Sequence, residues 1–268
     1  MDKKFFIENI DSIKKICTTT AKVQLRNHEK NMVYKSKSDN TPLTEIDLLS
    51  HELITTNIRK ISDDYPIISE EGYEEGVFHE EFWIIDPLDG TRNYIDKGKN
   101  FCINISFIED KFPVFGAIYI PFSKEFYYGV LGHGSYLQDQ TGKTTRISCK
   151  NLSLDNLVLC SSSSMNPKKL EIISNNIRLW KHLQISSAIK FGILASGEGN
   201  FYPRFGPTYE WDTAAGQCIL EESGGMVVDE NLDRLTYNKN TKYLNGKFFA
   251  FNGELSFWQS LITSLCES

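Results

Sequence analysis

The sequence is poor in the residues that announce several common chemistries. Its six cysteines (17, 102, 149, 160, 218 and 266) form no Cys-x-x-Cys pair, and its five histidines do not cluster. That argues against a zinc site built from thiolates and imidazoles. A chain this long needs no disulfide framework either, so the thiols read as reduced, as in a cytoplasmic protein, with the inner-membrane surface as the one other expected location. No window reaches the ~18 apolar residues of a membrane span. The opening MDKKFFIENI is interrupted by Glu8 and Asp11 and does not read as a signal peptide. Positive charge is in the minority, 29 Lys and Arg against 35 Asp and Glu, for a net charge of −6 and a pI near 5.5. A nucleic-acid backbone partner is therefore not expected. There is no low-complexity tract and no internal repeat. A small anionic substrate stays open, because bound cations reverse the field of an acidic cleft.

What is present is ordinary globular material, 40% hydrophobic and 24% charged over 268 residues, enough for one large α/β unit or two modest domains. Residues 4–25 carry Phe6, Ile10, Ile13, Ile16 and Val23 at helical spacing. The polar stretch YKSKSDNTP reads as a mobile or extended loop. The following LTEIDLLSHELITTNIRKI predicts a second helix with Ile46, Leu49, Leu53, Ile54, Ile58 and Ile61 on one face. PIIS at 66–69 and FWIID at 82–86 read as buried strands, and 101–147 as a β-meander. From about 155 strands and helices alternate, which implies βαβ units. The expected division is a domain 1–154 holding a metal and phosphate site and a domain 155–268 holding substrate contacts.

Acidic residues gather where these elements start or stop. Glu70 and Glu71 follow PIIS, Asp86 and Asp89 follow FWIID, Asp212 precedes the helix TAAGQCIL, and Asp47 lies in the first turn of the second helix. Carboxylates converging from distant element ends make a hard-oxygen site suited to Mg²⁺. An EF-hand reading of DPLDG fails because Leu88 occupies the third loop position, where that motif requires an oxygen side chain. Pro87 is expected to turn the chain sharply out of its strand, bringing Asp86, Asp89 and the Leu88 carbonyl to one ion. Gly90 and Thr91 then open a helix whose amides suit a phosphate oxygen. Each piece has a plainer reading. Thr44-x-x-Asp47 is half of a capping box, Asp212 an N-cap, Glu70-Glu71 a solvated charge run and DPLDG a turn. Their joint occurrence favours a site.

SEEG, WIIDPLDGT and EWDTAAG, in that order and spacing, resemble the signature set of the inositol monophosphatase superfamily of Mg²⁺-dependent, lithium-sensitive phosphatases. KSDNTPLTEID, SSAIKFGILASGEGNFYPRFGP and WDTAAG narrow the resemblance to its 3'(2'),5'-bisphosphate nucleotidases of the bacterial sulfur-assimilation type. The resemblance covers nearly the whole chain. It implies an alternating α/β/α/β/α layered sandwich and removal of the 3'-phosphate from adenosine 3',5'-bisphosphate. By its motif positions it implies metal ligation by Glu70, Asp86, the Leu88 carbonyl, Asp89 and Asp212, for two Mg²⁺ ions with a third, weaker one near Glu70 and the catalytic Glu71. Asp47 and Thr91 match the pair that orients and deprotonates the attacking water. Gly90 and Thr91 match the phosphate turn, and Ser187, Lys190 and Arg204, with Asp212, match substrate contacts.

Arg92-Asn93-Tyr94 after the turn, where such nucleotidases often have Lys-Glu-Phe, and CSSSSMNP, which lacks their histidine, point to a second reading, an inositol or sugar phosphatase. A non-catalytic phosphate-ligand sensor is a third. A monomer or homodimer acting on a small phosphorylated molecule is expected.

Overall fold

The structure, a computed structural model, describes residues 1–30, 34–36, 42–149, 155–239 and 241–268. Most of the KSKSDN segment and the expected division after 154 lie outside the described residues.

Two helices open the chain, α1 (Lys3–Glu8) and α2 (Ile10–His28). The single helix expected over 4–25 is interrupted at Asn9, whose N–H donates to Phe5 O. A short antiparallel pair, β1 (Tyr34–Ser36) and β2 (Pro42–Thr44), precedes α3 (Glu45–Ile61). A seven-stranded sheet follows in sequence order: β3 (Ile67–Ser69), β4 (Glu81–Asp89), β5 (Cys102–Glu109), β6 (Phe112–Ile120), β7 (Glu125–Val130), β8 (Gly134–Gln138) and β9 (Thr144–Ile147). Every neighbouring pair is antiparallel except β3–β4. The short α4 (Thr91–Ile95) joins β4 to β5.

The rest of the chain gives β10 (Leu157–Ser161), α5 (Pro167–Asn176), β11 (Leu179–Gln184), α6 (Ile189–Ala195) and β12 (Phe201–Arg204). Then come β13 (Thr208–Tyr209), a 3₁₀ turn (Glu210–Asp212), α7 (Ala214–Glu222), β14 (Gly225–Asp229), β15 (Leu244–Asn245), β16 (Phe248–Asn252) and α8 (Leu255–Glu267). Five of these strands form a mixed sheet in the order β11-β10-β12-β16-β14. No described helix is long and apolar enough to cross a membrane.

The period-2 alternation of the strands sorts the core into layers. Trp83 and Ile85 of β4 face α1, α2 and α3, while Phe82 and Ile84 face α6, α7 and the second sheet. In β16, Phe248 and Ala250 join that central cluster, and Phe249 and Phe251 pack on α5 and α8. The result is helices, sheet, helices, sheet, helices, the layered α/β sandwich expected. Small residues make the middle layer possible. A Cβ on Gly116 would lie 2.3 Å from Ala215 O, and one on Gly216 would lie 2.2 Å from the Phe191 ring, so α7 seats directly against β6 on one side and α6 on the other.

One expected face is corrected. Leu49 is exposed, and α3 buries Ile46, Asp47, Ser50, Ile54, Thr55 and Ile58. The amino-terminal end of α3 looks toward polar groups of the turn after β4, so its inward stripe is not wholly apolar.

Candidate active site

β4 does not stop at Asp86. It pairs with β5 as far as Asp89, and the register slips between Asp86↔Asn104 and Asp89↔Cys102. The expectation that Pro87 turns the chain out of the strand is therefore corrected. Pro87-Leu88 takes up one extra residue as a bulge, where a residue without an N–H is tolerated. The bulge turns both aspartates toward the cleft. Asp86 Oδ1 accepts from the Leu88 amide at 3.0 Å. Gly90 follows at φ 95°, a left-handed conformation suited to glycine, and caps α4.

Asp212 reaches the same point from the other half of the chain. It does not cap α7, as expected from sequence. That position falls to Thr213, and Asp212 Oδ2 accepts from the Tyr209 amide at 2.8 Å as part of the 3₁₀ turn. Carboxylate oxygens of Asp86, Asp89 and Asp212 lie within 4.8 Å of one another. Glu70, just after β3, lines the same cleft of about 560 Å³ as Asp86. Leu88, Gly90, Thr91, Arg92 and Arg204 also line it. Glu71 follows in the same turn but is not among the lining residues.

Crowding of like charges away from water shows in the acid strengths. Burial, then Glu70, Asp89 and Asp212, pushes Asp86 well above the usual carboxylate range. Burial, then Asp89 and Glu70, pushes Asp212 up to about 8. Burial raises Asp89 too, against the Ala188 amide and Lys190, which lower it. A hard cation relieves this repulsion, and an all-oxygen set of four carboxylates with the Leu88 carbonyl fits Mg²⁺.

Beside the carboxylates is the Asp47–Thr91 pair. The Thr44–Asp47 capping box expected from sequence is present, with Asp47 Oδ2 accepting from the Thr44 amide at 2.7 Å. Its other oxygen accepts from Thr91 Oγ1 at 3.0 Å, and the Leu88 carbonyl is a second acceptor for Thr91, also at 3.0 Å. Capping and site-building are thus the work of one carboxylate. Burial raises the Asp47 pKa, partly offset by the Thr44 bonds.

Ser187, Lys190 and Arg204 come together in an adjoining pocket of about 200 Å³, which Asp89 and Asp212 also line. Lys190 is 3% exposed, and its ammonium donates to the carbonyls of Ile185 (2.9 Å) and Ser187 (2.6 Å) over the ring of Tyr202. Burial lowers its pKa to about 8, with Asp89 opposing that shift and Arg204 adding to it. Arg204 donates to Pro207 O at 3.2 Å, and its buried Nε has no partner among the described residues.

Three contacts to Asp89 were not anticipated: Oδ2 accepts from the Ala188 amide (2.5 Å), Asn104 Nδ2 (3.1 Å) and Cys102 Sγ (3.6 Å). A sequence signal for two of them exists. Cys102, Asn104 and Ser106 alternate with the apolar Ile103, Ile105 and Phe107 along β5, marking one polar stripe on a buried sheet.

The chain is similar to known proteins in sequence and in fold. The sequence model of the Inositol monophosphatase family matches residues 4–258. The 3'(2'),5'-bisphosphate nucleotidase CysQ of Aggregatibacter actinomycetemcomitans is 33% identical over 227 residues, covering 82% of this chain and 84% of that protein. Among solved structures, CysQ from Bacteroides thetaiotaomicron aligns at TM-score 0.74 and 29% identity over 89% of this chain and 95% of that one. An IMPase of Thermotoga maritima aligns at TM-score 0.80 and 26% identity over 97% of each chain.

Proposed function

The chain belongs to the inositol monophosphatase family, and on that premise we propose that it is a Mg²⁺-dependent phosphomonoesterase that removes the 3'-phosphate of adenosine 3',5'-bisphosphate, giving AMP and phosphate. One observation carries the proposal. A carboxylate cluster fit for cations, Asp86, Asp89 and Asp212, shares two of its members with an adjoining pocket that holds Lys190, and Arg204 lines both. A substrate with two phosphates matches two such neighbouring sites, and the Arg204 fork suits the phosphate that does not react. The relationship to CysQ supports the same substrate.

Two Mg²⁺ ions held by Glu70, Asp86, the Leu88 carbonyl, Asp89 and Asp212 would supply water activation and stabilise the leaving alkoxide, with a third, weaker ion beside Glu70 and Glu71. The protein's own part is proton handling and placement. Thr91 Oγ1 has one hydrogen and two acceptors, Asp47 and Leu88 O. Were the Leu88 carbonyl to serve as a ligand, the hydrogen would go to Asp47, and the lone pairs of Thr91 would stay open to a hydrogen of the attacking water. The water proton passes to Thr91 as the hydroxyl proton passes to Asp47, whose raised pKa makes it the better acceptor. Gly90 and Thr91, lining the cleft at the start of α4, face the reacting phosphate, and Ser187 lines the pocket for the remainder of the substrate. No covalent phosphoenzyme is required. The six free cysteines and the net charge of −6 fit a cytoplasmic setting.

A second reading, an inositol or sugar phosphatase, is favoured by Lys190, whose charge is already held by two carbonyls. A turnover panel of adenosine 3',5'-bisphosphate, inositol 1-phosphate and fructose 1,6-bisphosphate, with Mg²⁺ and with added Li⁺, tests both. The highest kcat/KM is expected for the nucleotide. Preference for inositol 1-phosphate would replace the proposed substrate, and no Mg²⁺-dependent phosphate release from any of them would leave a ligand sensor.

A further inference from the structure

Gln24, on α2, is fully buried and holds the turn 86–91 from both flanks. Its Nε2 donates to Pro87 O at 2.8 Å and to Ser50 Oγ at 3.2 Å, and its main-chain carbonyl accepts from Tyr94 Oη at 2.7 Å. Pro87 C=O and Leu88 N–H belong to one planar peptide and point to opposite sides of it. Gln24 holds the first and Asp86 Oδ1 the second, at 3.0 Å. Below the turn, the Leu88 side chain is clamped in an apolar cluster with Ile46, Tyr94 and Phe101.

From this juxtaposition we infer that Gln24 is a positioning residue for the cation site. By pinning the Pro87–Leu88 peptide it fixes which oxygen of Asp86, and which side of the Leu88 carbonyl, the cleft receives. The inference rests on the proposed reading of the cluster as a Mg²⁺ site. Its independent support is a cost. Gln24 Oε1 is buried with no partner among the described residues, a penalty that an apolar side chain of equal size would avoid. What the carboxamide offers at this position is its NH₂ group. Arg92-Asn93-Tyr94 also gains an account here. Arg92 lines the cleft, Asn93 Oδ1 accepts from the Asn100 amide at 2.9 Å, and Tyr94 ties α4 to Gln24.

Gln24→Leu keeps the volume and removes both donors. Mg²⁺ binding to the substrate-free variant is measured by calorimetry, alongside kcat and KM for adenosine 3',5'-bisphosphate. The expected result is about tenfold weaker Mg²⁺ binding and about tenfold lower kcat, with KM at saturating Mg²⁺ moved less than about twofold. A lower melting temperature with Mg²⁺ affinity and kcat unchanged would make Gln24 merely structural and overturn the inference. Should that variant not fold, Gln24→Glu decides. Protonated, its carboxyl can donate to Pro87 O, so its Mg²⁺ affinity relative to wild type at the same pH is expected to recover between about pH 8 and pH 5.5. A ratio that stays low at every pH in this window overturns the idea. Calorimetry needs no substrate. Wild-type protein that binds Mg²⁺ but leaves adenosine 3',5'-bisphosphate intact defeats the proposed substrate alone, and wild-type protein that binds no Mg²⁺ defeats both.

Discussion

The two pockets that meet at Asp89 and Asp212 handle buried charge in opposite ways. On the turn side, Asp86, Asp89 and Asp212 crowd together; burial raises the pKa of all three, and neighbouring carboxylates add to that for Asp86 and Asp212. Near the loop 185–188, Lys190 is buried just as deeply, yet two carbonyls and the Tyr202 ring already solvate its ammonium. One pocket is incomplete without a guest, whereas the other is largely complete in itself. Chemistry that draws on cations belongs to the first. The second can contribute by field and shape, and a phosphate there must compete with main-chain acceptors for Lys190.

The most severe way to break this contrast is to remove a charge from the incomplete side. Asp89→Asn or Asp212→Asn is expected to lower kcat by about 10²–10³-fold or more, since each removes a proposed ligand whose charge would act in the transition state. Metal-free melting temperature should hold or rise, because the repulsion falls. Wild-type turnover in either variant would end the assignment of these groups as ligands.

A smaller effect is expected on the complete side, and its pattern matters more than its size. Loss of a charged hydrogen bond to a phosphate is worth roughly 1.5–3 kcal/mol, or about 10–100-fold. Lys190→Met should therefore raise KM for adenosine 3',5'-bisphosphate by about that factor and leave a single-phosphate substrate much less affected. Equal damage to both would recast Lys190 as a brace for the loop that presents the Ala188 amide to Asp89.

The gentlest probe is pH. Asp86, Asp89 and Asp212 have folded-state pKa values raised above the unfolded value of 3.8, that of Asp212 to about 8. The metal-free protein then binds more protons folded than unfolded. Their contribution to its stability is complete below about pH 4 and lost as pH rises toward about 8. Melting temperature in chelator should fall between pH 5.5 and 8, and saturating Mg²⁺ should remove most of that fall. A metal-free melting temperature that is flat or rises across this window would mean that the carboxylates do not repel as their geometry implies.

The incomplete pocket was also the more legible in the sequence, for a physical reason. Asp86, Leu88, Asp89, Gly90 and Thr91 lie within six consecutive residues, so their closeness in sequence already brings them near one another. Asp47 meeting Thr91 across 44 positions, or Ala188 meeting Asp89 across 99, depends on how layers stack, and the resemblance supplied the first of these rather than the pattern of residues. Pro87 misled because proline is read as an exit from a strand, and a bulge is the other place it fits. Leu49 misled because helical periodicity marks a stripe without saying that its first turn faces polar groups. Gln24 could not have been found from its neighbours at all, since the carbonyl it holds is 63 residues away.

The seating of α7 has a consequence for how the molecule comes apart. Ala215 abuts Gly116 of one sheet, while Gly216 abuts Phe191 of α6, with Ile219 and Leu220 in the cluster shared by both sheets. Both sheets lose part of the cover on their inner faces once α7 departs, since α6 is the other helix of that layer. Heat or denaturant should therefore meet one cooperative unit, with the slowest hydrogen exchange in α7 and β6 and with no lasting half-folded form. Asp212 stands immediately ahead of that helix, so the step that dissolves the core also scatters the carboxylates, and a bound cation resists both at once.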